Sequence, residues 1–247
     1  MFTAEPNSTK FDVHFTIAKV PVRVHPLFWL ISLGFGIMAV PRTGIHVFVG
    51  MCLWAAAVFV SILVHELGHA LVARAYGWPP RIVLHGFGGL ALFSPTRQSR
   101  TERVLISFMG PGAGFIFGGL ILAAIVLTGH STQLLPGIGP TIGSGPRFAF
   151  SGARLELFTL FLVYVNIFWG LINLLPVYPL DGGDIAKTIL EKVRPRDSWA
   201  VALKLSMATA IVVAIAALAL SRQIVITIMF GYLAYTNYQM LQQIQSR

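Results

Sequence analysis

Long apolar stretches separated by short polar segments dominate the chain. A helix needs roughly 20 mostly apolar residues to cross the ~30 Å hydrocarbon core of a bilayer. Six stretches meet or approach that length and are predicted to be transmembrane helices, namely 26–41, 45–76, 104–128, 156–176, 199–220 and 223–241. The second stretch is longer than a bilayer requires, so its C-terminal end is expected to emerge into water near Tyr76.

Three segments between these stretches carry a different pattern. Residues 10–17, KFDVHFTI, alternate polar and apolar, which predicts a short N-terminal strand. Residues 81–93, RIVLHGFGGLALF, are β-branched and apolar around a Gly-rich centre, which predicts a hairpin or a re-entrant loop. The Pro/Gly-rich segment 134–146 has neither period and is expected to be a loop. The predicted fold class is therefore an all-α polytopic membrane protein of about six transmembrane helices, with a short N-terminal strand and a re-entrant β-hairpin.

Composition supports a membrane environment. Of 247 residues, 55% are hydrophobic and only 11% are charged, which lies outside the averages of soluble proteins. The net charge of +9 is spread between the apolar stretches rather than clustered among aromatic residues, so the lipid bilayer is the expected partner and no nucleic acid is expected. The single cysteine, Cys52, excludes an intramolecular disulfide.

The distribution of basic residues predicts an orientation. With six spans, 14 of the 18 Lys and Arg residues fall on one side of the membrane, and the other four are Arg42, Arg147, Arg154 and Arg222. The richer side is expected to be cytoplasmic. The chain is thus expected to be a multi-pass protein of the cell membrane with both termini in the cytoplasm.

The second apolar stretch contains the sequence HELGH at residues 65–69. His65 and His69 are one helical turn apart on one face, so both imidazoles can reach one metal ion, with Glu66 beside it. Ionisable residues inside a membrane span are rare and usually functional. A satisfied polar cluster between helices, or a structural ion, is the alternative.

A catalytic zinc site needs a third protein ligand and an open position for water. His65 lies about 20 residues into its span, a rise of ~30 Å, so the metal and the opening of the active site are expected near the cytoplasmic surface. Asp181, in NLLPVYPLDGG at 173–183, is the carboxylate flanked by apolar residues at that depth. Asp184 is the nearest competitor, but it is expected to cap the following helix. Asp181 could instead belong to an Asp-Gly turn.

Three motifs together resemble the site-2 protease family of intramembrane zinc metalloproteases: HELGH in the second stretch, FMGPGAGF at 108–115 in the third and NLLPVYPLDGG at the end of the fourth. The resemblance covers roughly residues 20–190. It implies that His65, His69 and Asp181 bind one Zn²⁺ per chain and that Glu66 is the catalytic acid/base. It also implies that Asn173 holds the substrate or the developing oxyanion, and that the 81–93 hairpin offers an edge to an unwound substrate. Packing over helix ends is the alternative for that hairpin.

These observations predict an intramembrane zinc endopeptidase that hydrolyses peptide bonds within or next to transmembrane segments, in regulated intramembrane proteolysis. Its partner would be a transmembrane protein substrate, such as a membrane-anchored regulator. A divalent metal-ion transporter using the same His/Asp site is the alternative. Residues 1–247 are expected to form a single membrane-embedded metalloprotease domain, with a catalytic core at about 20–190, accessory transmembrane helices at 199–241 and no PDZ or CBS domain.

Overall fold

A computed structural model describes residues 5–39, 45–86, 88–133, 141–144 and 153–246. Seven helices lie within these ranges: α1 Pro26–Ala39, α2 Val47–Ala75, α3 Arg100–Leu127, α4 Ala153–Asn173, α5 Asp181–Val193, α6 Ser198–Ser221 and α7 Ile224–Gln245. The same ranges contain six strands: β1 Val13–Ile17, β2 Val20–Val24, β3 Arg81–His85, β4 Gly88–Leu92, β5 Thr132–Gln133 and β6 Thr141–Ile142.

Each of the six apolar stretches contains a helix. Four helices among the described residues, α2, α3, α4 and α6, are long and apolar enough to cross a membrane. The α1 helix has 14 residues and is too short by this criterion, and the more polar α7 does not meet it either. The structure thus supports four spans, and residues 40 and 41 of the first predicted span lie outside the described ranges.

A small sheet contains both predicted β segments. Its strand order is β1-β2-β3-β4, with β1 antiparallel to β2, β2 parallel to β3 and β3 antiparallel to β4. The segment 81–93, predicted to be a hairpin or a re-entrant loop, contains β3 and β4, which pair in an antiparallel ladder. The predicted N-terminal strand is present as β1, but β2 was missed, because Pro21 weakens the strand pattern of VPVRV.

The loop expected at 134–146 lies mostly outside the described ranges. Within the described part, Thr141 and Ile142 form β6, which pairs with β5 in a two-residue antiparallel ladder. The prediction of a loop is therefore wrong at these two residues. A strand of two residues is too short to produce an alternating pattern in the sequence.

The chain divides into two compact units, of which the first contains the residues up to Thr96 and Met109–Leu171. In this unit the sheet packs on α2 around the HELGH motif. The buried residues of this core are Val20, Val22 and Val24 of β2, Ile82 and Leu84 of β3, Phe28 of α1, and Ile62, Leu63 and Ala70 of α2. Because Ile62 and Ala70 bracket the motif along α2, burial of their face fixes the rotation of the helix that carries the two histidines.

Helices α3 and α4 approach α2 closely within the first unit. A Cβ atom at Gly68 would overlap the carbonyl of Met109, so the small residue permits direct contact between α2 and α3. On α4, the Asn166 Nδ2 atom donates hydrogen bonds to Ser61 Oγ at 2.8 Å and to the Leu162 carbonyl at 2.8 Å. Ser61 lies one helical turn before His65, so α4 is tied to α2 next to the motif.

The second unit contains Arg97–Phe108 and Ile172–Arg247. It joins the first turns of α3 to α5 through two polar contacts. Arg103 Nη1 donates to Glu191 Oε1 at 3.2 Å, and Ser107 Oγ donates to Asp184 Oδ2 at 3.5 Å.

The expectation that Asp184 caps α5 is wrong. The helix begins at Asp181, its N-cap is Leu180, and no side chain caps it. The Leu180 carbonyl accepts hydrogen bonds from the N–H groups of Gly183 at 2.9 Å and Asp184 at 3.2 Å. The helix therefore starts about one turn earlier than the sequence suggested. Asp184 lies inside the helix, and its carboxylate accepts the hydrogen bond from Ser107.

Replacing Asn166 tests the link between α2 and α4. The change Asn166→Ala should lower the free energy of unfolding by roughly 0.6 kcal/mol and at most by about 1.7 kcal/mol, the range found for hydrogen bonds between transmembrane helices. Denaturant unfolding in mixed micelles measures it. Thr159→Val is the control, because the hydroxyl group of Thr159 donates to the Leu155 carbonyl of its own helix. Equal destabilisation by both changes, or additivity of Asn166→Ala with Ser61→Ala, would contradict the link.

Candidate metal centre

The HELGH motif forms a buried polar cluster on α2. His65 and Glu66 are each 5% exposed and His69 is 7% exposed. The two imidazole rings are edge to face, with centroids 4.8 Å apart, and their Nε2 atoms are 3.1 Å apart. The helix thus directs two nitrogen atoms at one point, as the spacing of the histidines predicts.

This pair fits a divalent metal ion such as zinc. Tetrahedral zinc holds imidazole nitrogens at ~2.0–2.1 Å, which places two such ligand atoms about 3.3 Å apart. The observed Nε2 separation of 3.1 Å is close to that value. A neutral imidazole is also a favourable ligand for zinc, so both the geometry and the chemistry of the pair suit a metal.

Asp181 is the first residue of α5 and belongs to the second unit. It is partly buried, and its side chain offers carboxylate oxygens. Two nitrogens and one carboxylate oxygen match the three protein ligands of a catalytic zinc site. By the chemistry of its side chain, Asp181 therefore suits the role of a third ligand.

Gly110 of α3 faces the two histidines. A Cβ atom at this position would overlap the His69 ring and would come within 2.8 Å of His65 Nε2. The sequence analysis identified FMGPGAGF only as one of the motifs that resemble the family. The structure shows a more specific role, in which the missing side chain of Gly110 leaves space for the imidazoles.

Glu66 lies against the hairpin. A Cβ atom at Gly89 of β4 would overlap the Glu66 side chain and would come within 2.7 Å of its Oε1 atom. At the neighbouring Gly88, a Cβ atom would make only an ordinary contact of 3.8 Å with Trp169. Sequence reasoning missed this contact, although the Gly-Gly pair in the hairpin was a visible sign of close approach by another group.

Asn173 is the last residue of α4 and is buried in the second unit. It lies two turns after Asn166 on the same helical face, since seven residues make nearly two turns. Asn166 was not identified from sequence. The repeated asparagine at a spacing of seven in an apolar helix was the signal that could have found it.

The pKa values of His85 and Tyr178, which lie outside the spanning helices, are shifted. Burial lowers the pKa of His85, at the end of β3, and the nearby His25 and Arg23 lower it further. Burial raises the pKa of Tyr178, which precedes α5, and Asp184 adds to this effect. Both shifts favour the neutral forms, so His85 and Tyr178 bring no charge to these parts of the protein at neutral pH.

Together, the apolar helices and the paired histidines define a membrane protein with a site suited to a divalent metal. The model of peptidase family M50 matches residues 53–217, which is more than half of the chain. The chain therefore belongs to peptidase family M50, and it is a multi-pass membrane protein. The matched residues include the HELGH motif, the Gly-Pro segment of α3 and the segment that leads to Asp181.

Individual relatives agree with this family. The chain is 31% identical to a zinc metalloprotease of Methanocaldococcus jannaschii over 182 residues, which cover 72% of this chain and 45% of the relative. It is 27% identical to stage IV sporulation protein FB of Bacillus subtilis over 178 residues, 70% of this chain and 49% of that protein. The chain thus spans less than half the length of these curated relatives.

A solved structure supports the fold. The site-2 protease from Methanocaldococcus jannaschii superimposes with a TM-score of 0.56 and 26% sequence identity, covering 94% of this chain and 95% of that chain. The resemblance to the site-2 protease family, which the sequence motifs indicated, is confirmed.

The contact between Gly110 and the histidines gives a test with a control on the same helix. In Gly110→Ala, the new methyl group should displace the His69 ring, so the purified protein should bind zinc much more weakly than the wild type. Gly119→Ala is the control, because a Cβ atom there meets nothing within 4 Å. Competition with a chromogenic chelator measures the affinity. Wild-type zinc affinity in Gly110→Ala would show that the imidazoles do not depend on this space.

Proposed function

We propose that the chain is a zinc endopeptidase that cleaves peptide bonds within or next to transmembrane segments of other membrane proteins. One observation carries the proposal. Two buried imidazole nitrogens lie 3.1 Å apart on a helix of membrane-spanning length, with a buried glutamate between the histidines. Membership of peptidase family M50 and the printed names of the relatives, which describe zinc metalloproteases, support it.

In this proposal His65, His69 and Asp181 hold one zinc ion per chain. The bound ion would supply Lewis acidity and lower the pKa of water toward neutrality. Three protein ligands leave a fourth position open, as a catalytic site requires. The 3.1 Å separation of the two imidazole nitrogens supports His65 and His69 as ligands, and the carboxylate of Asp181 is a ligand type that such zinc sites use.

Glu66 is the proposed general acid and base. It follows His65 directly in α2 and is as deeply buried as the histidines. Its carboxylate would accept a proton from the attacking water and pass it to the leaving amine. Asn173 is proposed to donate a hydrogen bond from its amide to the substrate or to the developing oxyanion, a role that preorganised donors serve in acyl transfer.

The proposed substrate position is the free edge of the hairpin. In the described part of the chain, β4 lies at one end of the strand order β1-β2-β3-β4, and its Gly89 touches Glu66. An extended segment that pairs with this edge would exchange its internal helical hydrogen bonds for bonds to β4. The scissile peptide bond would then lie beside the glutamate.

We also propose six membrane crossings, formed by α1, α2, α3, α4, α6 and α7, with a re-entrant hairpin between α2 and α3. In this arrangement both termini and the opening of the active site face the cytoplasm. The location of 14 of the 18 basic residues on that side supports the orientation. The catalytic core would occupy about residues 20–190 of a single membrane-embedded domain, and 199–241 would form the accessory helices.

The alternative function is a divalent metal-ion transporter, in which the same His and Asp ligands would bind an ion in transit. The comparisons do not support that alternative, because the matched family is a peptidase family. The substrate, by contrast, is proposed only as a class, a membrane protein with a transmembrane segment. Such a segment fits a buried site on spanning helices.

Substitution of Glu66 separates chemistry from metal binding. In Glu66→Gln, cleavage should fall by roughly 10²–10⁴-fold because the proton acceptor is lost, while the zinc content should stay near that of the wild type. Mass spectrometry of membrane-protein fragments from native cells, at matched expression, detects the precursors that accumulate. His65→Ala is the comparison that should lose the metal. Unchanged fragments with Glu66→Gln, together with zinc flux into proteoliposomes, would favour a transporter instead.

The two adjacent glycines of β4 test the position of Glu66. Gly89→Ala should displace the carboxylate and reduce turnover by about 10²-fold, the cost of a shift of about 1 Å in a catalytic group, without loss of zinc. Gly88→Ala is the matched control, since its methyl group has room beside Trp169. Both variants keep the backbone N–H that a paired strand needs. Equal turnover in the two variants would refute the contact.

A further inference from the structure

The segment between α4 and α5 leads directly to Asp181 and is folded into a compact turn. The N–H of Val177 donates to the Leu175 carbonyl at 2.7 Å, and the N–H of Leu180 donates to the Val177 carbonyl at 2.8 Å. Val177 itself is fully buried. The turn, defined here as residues 174–180, therefore has an ordered backbone up to the first residue of α5.

Both backbone groups of Tyr178 in this turn are bound by polar side chains from the last two helices. The N–H of Tyr178 donates to Ser206 Oγ of α6 at 3.0 Å. The carbonyl of Tyr178 accepts a hydrogen bond from Asn237 Nδ2 of α7 at 2.7 Å. The same amide also donates to the Leu233 carbonyl at 2.7 Å. Since both of its partners are carbonyl oxygens, the nitrogen of the amide must face them.

The burial of these two side chains indicates a specific role. Ser206 is 1% exposed and Asn237 is 0% exposed, in helices whose other residues are mainly apolar. A polar group buried in such surroundings is costly unless it is hydrogen-bonded. Intramembrane polar residues usually face the protein interior and mark functional positions. Here both are directed at one residue of the turn.

Further contacts restrict the backbone on either side of Asp181. A Cβ atom at Gly183 would lie 2.5 Å from the Tyr178 nitrogen, so the first turn of α5 packs directly on the held residue. The Tyr178 ring also packs edge-on against Trp199 of α6, with centroids 5.0 Å apart at 87°. Asp181 lies between Tyr178 and Gly183 in sequence. Its backbone is therefore fixed on both sides.

We infer that Ser206 and Asn237 are positioning residues, which hold the turn at 174–180 and thereby fix the place of the Asp181 carboxylate as a metal ligand. The inference rests on the proposed function, in which Asp181 binds zinc. It gives α6 and α7, which carry no recognisable motif, a role in the metal site. Partners of this kind, one step removed from the metal, typically change its affinity 10–100-fold when they are replaced.

The test compares zinc affinity in purified full-length variants. Asn237→Ala and Ser206→Ala should each weaken zinc binding by roughly 10–100-fold, and Ser206→Thr, which keeps the hydroxyl, should restore it. Thr236→Ala is the matched control for Asn237, because Thr236 donates to the same Leu233 carbonyl at 3.0 Å and makes no bond to the turn. Thr227→Val controls for contact between α6 and α7, since Thr227 Oγ1 donates to the Ala214 carbonyl of α6.

The Asp181→Asn background separates positioning from general stability. In that background Asn237→Ala should weaken zinc binding no further, because Asp181, the ligand that Asn237 positions, has already been replaced. A lower melting temperature with unchanged zinc affinity in both Asn237→Ala and Ser206→Ala would overturn the inference. If the Asn237→Ala protein does not fold, the zinc affinities of Ser206→Ala and Ser206→Thr test the inference in the same way. Unchanged zinc affinity in Asp181→Asn alone would refute the proposed ligand set, and with it this inference.

Discussion

The burial of three ionisable side chains in an apolar helix is the constraint on which the structure depends. His65, Glu66 and His69 are nearly inaccessible, and polar groups at such positions need partners and space. The surrounding elements supply the space by omitting side chains. Gly110 of α3 leaves room for the imidazoles, and Gly89 of β4 leaves room for the carboxylate. Adding one methyl group at either position would force this cluster to move, so the glycines are as specific to the site as its ligands.

The polar residues of the other apolar helices follow the same logic. Asn166 of α4 binds Ser61 one turn before the first histidine, and Asn237 of α7 binds the turn that precedes Asp181. In each case a buried amide replaces the water that the partner would otherwise bind. Such bonds contribute little to stability individually. Their main effect is geometric, because each fixes the segment that carries a proposed zinc ligand.

The sequence predicts those features that depend on local patterns. Apolar length identifies the helices, alternation with a Gly-rich centre identifies the hairpin, and the spacing in HELGH places both histidines on one face. The pattern fails where long-range contacts decide the structure. Strand β2 contains Pro21 yet is buried between two partners, and α5 starts at Asp181 rather than after Asp184 because backbone contacts of Gly182 and Gly183 set its first turn. The contact of Gly89 with Glu66 joins segments more than 20 residues apart, so no local pattern in the sequence predicts this contact.

The topology of the sheet has a consequence for how a substrate would be recognised. Strand β2 precedes α1 and α2, whereas β3 follows them, and the two strands pair in parallel with Val22 opposite Ile82. The hairpin, which follows the motif-bearing helix α2, is therefore paired through β3 with β2, a buried strand that precedes this helix. Its edge strand β4 is held beside Glu66 by backbone hydrogen bonds to β3. A substrate paired with β4 would likewise be bound through its backbone, which every sequence shares. Selection would then depend more on how readily a transmembrane segment unwinds than on the identity of the residues at the cleaved bond.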